Sequence, residues 1–183
     1  MNLLTDRRAF LRQTSAASLA CLGALVPGPV AGRDEGTGRQ SLRAGTAQVD
    51  ITPETFPALV CGGFLSRSAT EVHDRLLARC LVLDDGTQRL LIMVADTIDI
   101  PYEMQEAVKA AAATATGIPT DRMLIAATHT HSGGTVSSAL GTKADPAYCE
   151  FLPGKLVECI RQAAANLRPA RVGWSSEEHP DGT

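Results

Sequence analysis

The fold of this chain is decided by LLARCLVLDDGTQRLLIMVAD, residues 76–96. Two apolar runs flank Asp85-Gly86, a dipeptide that is the strongest short signal for a β-hairpin. A two-residue turn at this pair would place Asp96 opposite Arg75, with His73 just beyond the paired residues. The segment therefore predicts two antiparallel strands whose open end gathers three side chains capable of chemistry.

The sequence after this hairpin predicts a crossover between parallel strands. The second hairpin strand, residues 88–95, is followed by an Ala-rich helix over 102–116 and a buried strand over 123–128. Pro101 suits the first turn of that helix, and Gly117 is a typical stop. Such a unit makes its two strands parallel neighbours with a right-handed connection. The predicted fold class is therefore α/β, with a mixed sheet, a βαβ crossover and flanking helices.

Three further elements are predicted outside this unit. AGTAQVDIT, residues 44–52, alternates enough to form a strand. Residues 145–167 predict a helix, with Asp145 as N-cap, that breaks or kinks at Pro153-Gly154 and then resumes. A final strand is predicted over ARVGW, residues 170–174.

The stretch ATHTHSGG, residues 127–134, places two histidines directly after a buried strand. Ligand sites in such sheets lie beyond the carboxyl ends of the strands, and Asp96 leaves the neighbouring strand at the same edge. Residues i and i+2 of an extended segment point to one side. His129 and His131 can therefore face one ion, or one can bind the ion while the other meets the substrate. Neutral imidazole is a favoured ligand of Zn²⁺, and a catalytic zinc usually takes three protein ligands and a water. A purely structural role for the pair is the alternative.

Each remaining polar residue at this edge has two interpretations. His73 is either a metal ligand or a hydrogen-bonded residue that caps the strand. Asp96 either holds a histidine in its tautomer and orientation or forms an ion pair with Arg75. Arg75 either binds an anionic group or lies on a solvated face. Ser132 lies in the loop of small residues after the histidines, but its surroundings do not match the GxSxG of a serine hydrolase.

The ends and the composition of the chain predict an exported protein. Residues 1–32 have the pattern of a twin-arginine export signal, which predicts a periplasmic or extracellular location. Residues 33–42 are predicted to be a flexible lead-in, and residues 43–183 the domain. No later stretch is apolar and long enough to span a bilayer, and the four cysteines after the signal contain no CxxC pair. A formal charge of −3 without a basic run argues against nucleic acid as a partner, and the oligomeric state is left open.

Three stretches of the chain resemble the neutral/alkaline, non-lysosomal ceramidases and their broader bacterial relatives. They are AGTAQVDITPE (44–54), VHDRLLARCLVLDDGTQRLLIMVADT (72–97) and MLIAATHTHSGG (123–134), and LRPARVGW (167–174) is similar to the family's continuation. Members of the family are much longer, and their remaining zinc ligands, a histidine, a glutamate and a tyrosine, come well downstream. The resemblance therefore implies the N-terminal part of a larger catalytic domain.

The same resemblance implies a zinc-dependent amidase. The first histidine of the HTH motif, here His129, would bind the zinc ion. The second, His131, would lie beside the substrate and hydrogen-bond the reacting group, and the Gly62-Gly63 segment would lie nearby. Ceramidases proper continue as HSGPGG where this chain has HSGGTVSSALG, residues 131–141, so the loop at the pocket mouth differs. The broader relatives share the dipeptide His73-Asp74.

We therefore expect a zinc-dependent hydrolase that cleaves the amide bond of ceramide or a related N-acylated, lipid substrate. The expected residues are His129 and His73 as metal ligands, His131 and Asp96 as catalytic residues, and Gly63, Arg75 and Ser132 on the substrate side. The alternative is a periplasmic module that holds Zn²⁺ or Cu²⁺ without catalysis, or an inactive relative.

Overall fold

The computed structural model describes residues 41–139 and 141–176 of the 183-residue chain. All of these residues belong to one structural unit, residues 38–183. The predicted export signal and most of the predicted lead-in lie outside the described residues, so both stay predictions.

The described residues form seven strands and two longer helices. The strands are β1 (Arg43–Asp50), β2 (Ala58–Val60), β3 (Arg67–Ala69), β4 (Leu77–Asp84), β5 (Arg89–Ala95), β6 (Met123–Ala127) and β7 (Arg168–Pro169); the helices are α1 (Tyr102–Thr116) and α2 (Pro146–Ala165). One sheet has the strand order β6-β5-β4-β1-β7, and β2 and β3 form a separate hairpin. β5 and β6 are parallel neighbours joined through α1, whereas the other pairs are antiparallel. The predicted mixed α/β sheet with its βαβ unit is confirmed.

The β4–β5 hairpin closes with a wider turn than the sequence predicts. Asp84 pairs with Arg89, so the loop between the strands holds four residues. The Asp85 carboxylate explains the difference, because it accepts hydrogen bonds from the backbone N–H groups of Thr87 at 2.8 Å and Gln88 at 2.9 Å. The predicted two-residue turn is therefore wrong.

The wider turn changes which residues meet at the open end of the hairpin. The backbone N–H of Asp96 donates to the carbonyl of Leu77 at 3.0 Å, so Asp96 lies opposite Leu77 and not opposite Arg75. The predicted juxtaposition of Asp96, Arg75 and His73 is corrected accordingly.

One face of the five-stranded sheet is covered by helices. α2 packs on β1 and β4, and α1 packs on α2. Alternate side chains of β4 and β5 point toward α2, as the two-residue period of a strand requires. The buried apolar residues of these three elements are Ala78, Cys80, Val82, Leu91, Met93, Ala95, Tyr148, Leu152, Leu156, Cys159, Ile160 and Ala163. On the opposite face of the sheet, Leu90, Ile92 and Leu124 are exposed.

Helix α2 is continuous, in contrast to the predicted interruption at Pro153-Gly154. Asp145 caps it as predicted, because its carboxylate accepts hydrogen bonds from the N–H groups of Ala147 and Tyr148. Pro153 costs the helix one N–H donor, yet Leu152 and Leu156 on either side are fully buried. Burial of such side chains contributes about 1.5–3 kcal/mol each, which offsets the lost hydrogen bond.

The strand predicted over residues 170–174 is wrong as well. β7 consists of Arg168 and Pro169 alone and pairs with the start of β1, where Arg43 lies opposite Pro169. The N–H of Ala170 still donates to the carbonyl of Leu42, beyond the first residue of β1. In the part of the chain that the structure describes, the residues after Ala170 have no strand with which to pair.

The β2–β3 hairpin is an element that the sequence analysis does not predict. Its two strands have three residues each, which is too short for a periodic signal. None of the helices among the described residues has the length and apolarity needed to cross a bilayer.

Candidate active site around the histidine pair

The histidine pair follows β6 at the edge of the sheet where the parallel strands end. β6 ends at Ala127, and His129 has a φ of 61°, in the left-handed region. The segment is therefore not extended, and the predicted i, i+2 alignment in a strand is wrong in its geometry. The two rings meet nevertheless: their centroids are 4.9 Å apart and their planes differ by 76°.

Each imidazole is held through Nδ1 by a backbone carbonyl. The Nδ1 atom of His129 lies 2.7 Å from the carbonyl oxygen of Ile98, and that of His131 lies 3.0 Å from the carbonyl oxygen of Gly62. A carbonyl oxygen only accepts hydrogen bonds, so Nδ1 carries the proton in both rings. In the neutral imidazoles the lone pair is then on Nε2, which is free to bind a metal ion or to accept a hydrogen bond.

The donor set fits zinc in kind, since two imidazoles that donate through Nδ1 present their Nε2 atoms on neighbouring, exposed side chains. Within residues 41–139 and 141–176, the structure contains no group of three or more His, Cys, Asp or Glu side chains arranged to hold an ion. His73 is therefore not brought into a common cluster with His129 and His131.

The β2–β3 hairpin holds the loop that carries the histidines. Arg67 of β3 donates a hydrogen bond from Nη2 to the carbonyl oxygen of His131 at 2.6 Å, and Val60 of β2 forms a bridge with Gly134. Gly62, with a φ of 122°, lies directly under His131: a Cβ atom on Gly62 would come within 2.7 Å of Cα and Cγ of His131. Only glycine allows this approach.

Asp96 interacts with the hairpin strands instead of with a histidine. Its carboxylate accepts a hydrogen bond from the N–H of Leu77 at 3.0 Å and from Nη1 of Arg79 at 3.0 and 3.2 Å. Of the two interpretations of Asp96, neither the hydrogen bond to a histidine nor the ion pair with Arg75 is observed: Asp96 pairs with Arg79, and the His129 ring is held by the Ile98 carbonyl. The sequence could not reveal this contact, because a backbone carbonyl has no residue-specific signal. A catalytic role for Asp96 stays a prediction.

Arg75 and His73 bond to carboxylates outside the histidine pair. The Nη1 atom of Arg75 donates to Asp50 at 3.0 Å, and its side chain is 78% exposed. The pKa of the Asp50 carboxyl is lowered, chiefly by hydrogen bonds from Thr52 and to a smaller extent by Arg75. His73 is 96% exposed, with Nδ1 2.8 Å from a carboxylate oxygen of Asp74.

A cleft of about 450 Å³ adjoins the histidine loop. The structure brings His73 and Ser132 into its lining, whereas Gly63, Arg75 and Asp96 lie outside it. Its wall contains apolar side chains and the polar side chains of Glu71, His73 and Asp74. The lining residues are Thr52, Pro53, Phe56, Ala58, Val60, Ala69, Glu71, Val72, His73, Asp74, Leu76, Thr130, Ser132, Gly133 and Gly134.

A larger cleft, of about 740 Å³, lies at the other end of the hairpin, around Asp84. The buried Asp84 carboxylate accepts hydrogen bonds from Arg43 at 2.6 Å and from Arg89 at 3.0 Å. Several contacts lower the pKa of Asp84, and the hydrogen bond from Arg43 makes the largest contribution. Because the guanidinium groups of Arg43 and Arg89 bond to this carboxylate, and that of Arg122 bonds to Gln88, we assign the cleft a structural role and take the histidine end as the candidate site.

The four cysteines among the described residues are free thiols. Burial raises the pKa of Cys80 to about 12 and that of Cys159 to about 11, which keeps both protonated and unreactive. These two cysteines are thus core residues.

Comparison with solved structures shows a likeness of fold. A neutral ceramidase from Pseudomonas aeruginosa matches with a TM-score of 0.63 and 23% sequence identity, over 71% of this chain and 22% of that chain. A ceramidase complexed with C2 matches with a TM-score of 0.60 and 24% identity, over the same shares. No protein-family model and no curated protein matches the chain. The chain thus spans 22% of the length of these solved structures, and its mixed sheet resembles part of a ceramidase domain.

Proposed function

We propose that the chain is part of a zinc-dependent hydrolase that cleaves an N-acyl amide, ceramide or a related N-acylated lipid. The observation that carries this proposal is the pair of imidazoles with Nδ1 bonded to carbonyls and Nε2 free. The likeness of fold to two ceramidases supports it. The proposal includes export through the twin-arginine signal.

In the proposed reaction, His129 is the metal ligand of this chain and binds through Nε2. The hydrogen bond to the Ile98 carbonyl fixes the orientation of the ring and keeps the proton on Nδ1, which leaves the Nε2 lone pair for the metal ion. A bound zinc ion would supply an activated water and polarise the scissile carbonyl. The further ligands would come from outside the described residues.

His131 is the proposed substrate-side residue. With the Gly62 carbonyl holding the proton on Nδ1, its Nε2 can accept a hydrogen bond from the amide N–H of the substrate or from a water. Thr130 and Ser132, the residues on either side of His131, line the cleft of about 450 Å³, and the apolar part of its wall suits an aliphatic chain. His131 is therefore adjacent in sequence to two residues of the proposed acyl site.

The first experiment is the zinc content of the metal-free chain after incubation with zinc and dialysis, for wild type, His129→Ala and His73→Ala. We expect His129→Ala to lose the ion. His73→Ala is the matched control, because this histidine is exposed and bonded only to its neighbour, and we expect it to retain the ion. Zinc bound by the wild type and bound equally by His129→Ala would contradict the assignment of His129, and a wild type that binds no zinc would contradict the proposed metal site of this chain.

The second experiment separates an enzyme from a metal-binding module. Release of fatty acid from ceramide is measured for the zinc-loaded wild type and for His131→Ala. We expect His131→Ala to keep zinc and to lose hydrolysis, because it removes the substrate-side group alone. Stoichiometric zinc without hydrolysis of any N-acyl amide by the wild type would favour the metal-binding module.

A further inference from the structure

We propose that Thr97, Asp99 and Ser137 form a positioning cluster that sets the tautomer of His129. This inference rests on the proposed function of His129 as a metal ligand. The three residues lie on two loops, one after β5 and one after the histidine pair, and their side chains hydrogen-bond to groups other than the imidazole. They act through the Ile98 carbonyl, which does.

The carbonyl of Ile98 lies in a short turn between β5 and α1. The N–H of Thr97 donates to the carbonyl of Ala95 at 2.9 Å, and the N–H of Thr128 donates to the same carbonyl at 2.9 Å. The Ile98 side chain is buried, and its burial stabilises the position of the turn. The ring of His129 then closes onto this turn through its Nδ1 atom.

The positioning cluster ties this turn to the loop after the histidines on both sides of Ile98. On one side, the hydroxyl of the fully buried Thr97 lies 3.3 Å from the carbonyl oxygen of Asp99 and 3.4 Å from that of Gly134, so its proton is shared between the turn and the loop. On the other, the hydroxyl of Ser137 lies 2.6 and 2.7 Å from the two carboxylate oxygens of Asp99. The Ile98 carbonyl is thus held between two cross-links to the segment that begins with His129.

This arrangement acts on one histidine of the pair. The partner of His131 is the carbonyl of Gly62, which is connected to the β2–β3 hairpin and not to the turn at Ile98. A neutral imidazole without a fixed partner favours the tautomer with the proton on Nε2, and in that tautomer Nε2 has no lone pair for a metal ion. The positioning cluster therefore keeps the acceptor for Nδ1 of His129 in place, so that Nε2 stays unprotonated.

The test uses the full chain, metal-free and labelled with ¹⁵N-histidine, at a pH where the imidazoles are neutral. The nitrogen chemical shifts report the tautomer of each ring. In wild type we expect Nδ1–H for His129 and His131. In Ser137→Ala and Asp99→Ala we expect His129 to shift toward Nε2–H while His131 is unchanged, and the zinc affinity to fall by roughly 10–100-fold.

The controls distinguish positioning from a general loss of structure. Ser138→Ala is matched in residue type and position, since its hydroxyl accepts a hydrogen bond from the N–H of Ala144 and has no part in the cluster. Ser138→Ala should leave the tautomers of both rings unchanged. Ser137→Thr keeps a hydroxyl at this residue and should retain the wild-type tautomer of His129. Unchanged His129 shifts in Ser137→Ala and Asp99→Ala would overturn the inference, and so would equal shifts of both histidines. If the tautomers respond as expected but the wild type binds no zinc, the proposed function fails while the positioning role holds.

Discussion

Substitution of Gly62 by alanine tests the packing of the site most directly. Gly62 has a φ of 122°, and an added Cβ would come within 2.7 Å of Cα and Cγ of His131. A non-glycine residue in such a backbone conformation costs about 1–3 kcal/mol, and overpacking costs about 1–3 kcal/mol more. We therefore expect Gly62→Ala to lower the free energy of unfolding by about 2–6 kcal/mol.

The neighbouring glycine is a matched control for this substitution. A Cβ on Gly63 would have its nearest neighbour at 3.6 Å, the carbonyl oxygen of Leu65, which is an ordinary van der Waals contact. Gly63→Ala should change the free energy of unfolding by less than about 1 kcal/mol. The two substitutions add the same methyl group to adjacent residues, so the difference between them reports the backbone strain at Gly62 together with its contact with His131.

Equilibrium unfolding in urea measures both variants, with the slope of the transition checked against wild type. The same samples show by nitrogen chemical shifts whether the bond from Nδ1 of His131 to the Gly62 carbonyl survives. A Gly62→Ala protein as stable as Gly63→Ala, with an unchanged His131 ring, would refute the argument that this glycine is required by the histidine loop.

Two further substitutions test the supports of the sheet and of α2. Asp84→Asn removes the charge that binds Arg43 and Arg89, and it should lower the free energy of unfolding by about 1–3 kcal/mol at neutral pH. Asp74→Asn is the control: Asp74 is exposed and pairs with His73, so the substitution should change the free energy of unfolding little. Because the pKa of Asp84 is lowered in the folded state, its contribution is present above the unfolded pKa of about 3.9 and is lost as pH falls through the folded pKa. The difference between wild type and Asp84→Asn in urea unfolding should therefore shrink at low pH; a constant difference down to acid unfolding would contradict this. Asp145→Ala removes the N-cap of α2 and the acceptor for the N–H of Leu59, and it should lower the free energy of unfolding, measured by thermal unfolding, by about 1–3 kcal/mol. Glu150→Ala, on the exposed side of α2, is the control and should be close to neutral. Equal losses of stability in the two variants would argue against the role of Asp145 as the cap.

The errors in the predicted fold come from individual side-chain contacts, which the periodic pattern of apolar residues does not predict. The hairpin at Asp85-Gly86 is present, but the Asp85 side chain accepts backbone hydrogen bonds and widens the turn, which moves Asp96 from Arg75 to Leu77. Pro153 predicts a break or a kink, and α2 continues through it because the neighbouring Leu152 and Leu156 pack in the core. In both cases the sequence predicts the element correctly and misses how its neighbours modify it.

The sequence by itself determines the βαβ unit, the mixed sheet and the position of the histidine pair at the carboxyl end of β6. These follow from apolar periodicity and from proline and glycine at the ends of α1, which act within a few residues along the chain. Tertiary structure alone decides the register of the hairpin and the partner of each imidazole. The Nδ1 atoms of His129 and His131 bond to carbonyls 31 and 69 residues away in sequence. No residue type encodes a backbone carbonyl, so these partners, and with them the two free Nε2 atoms, are determined only when the strands and loops pack together.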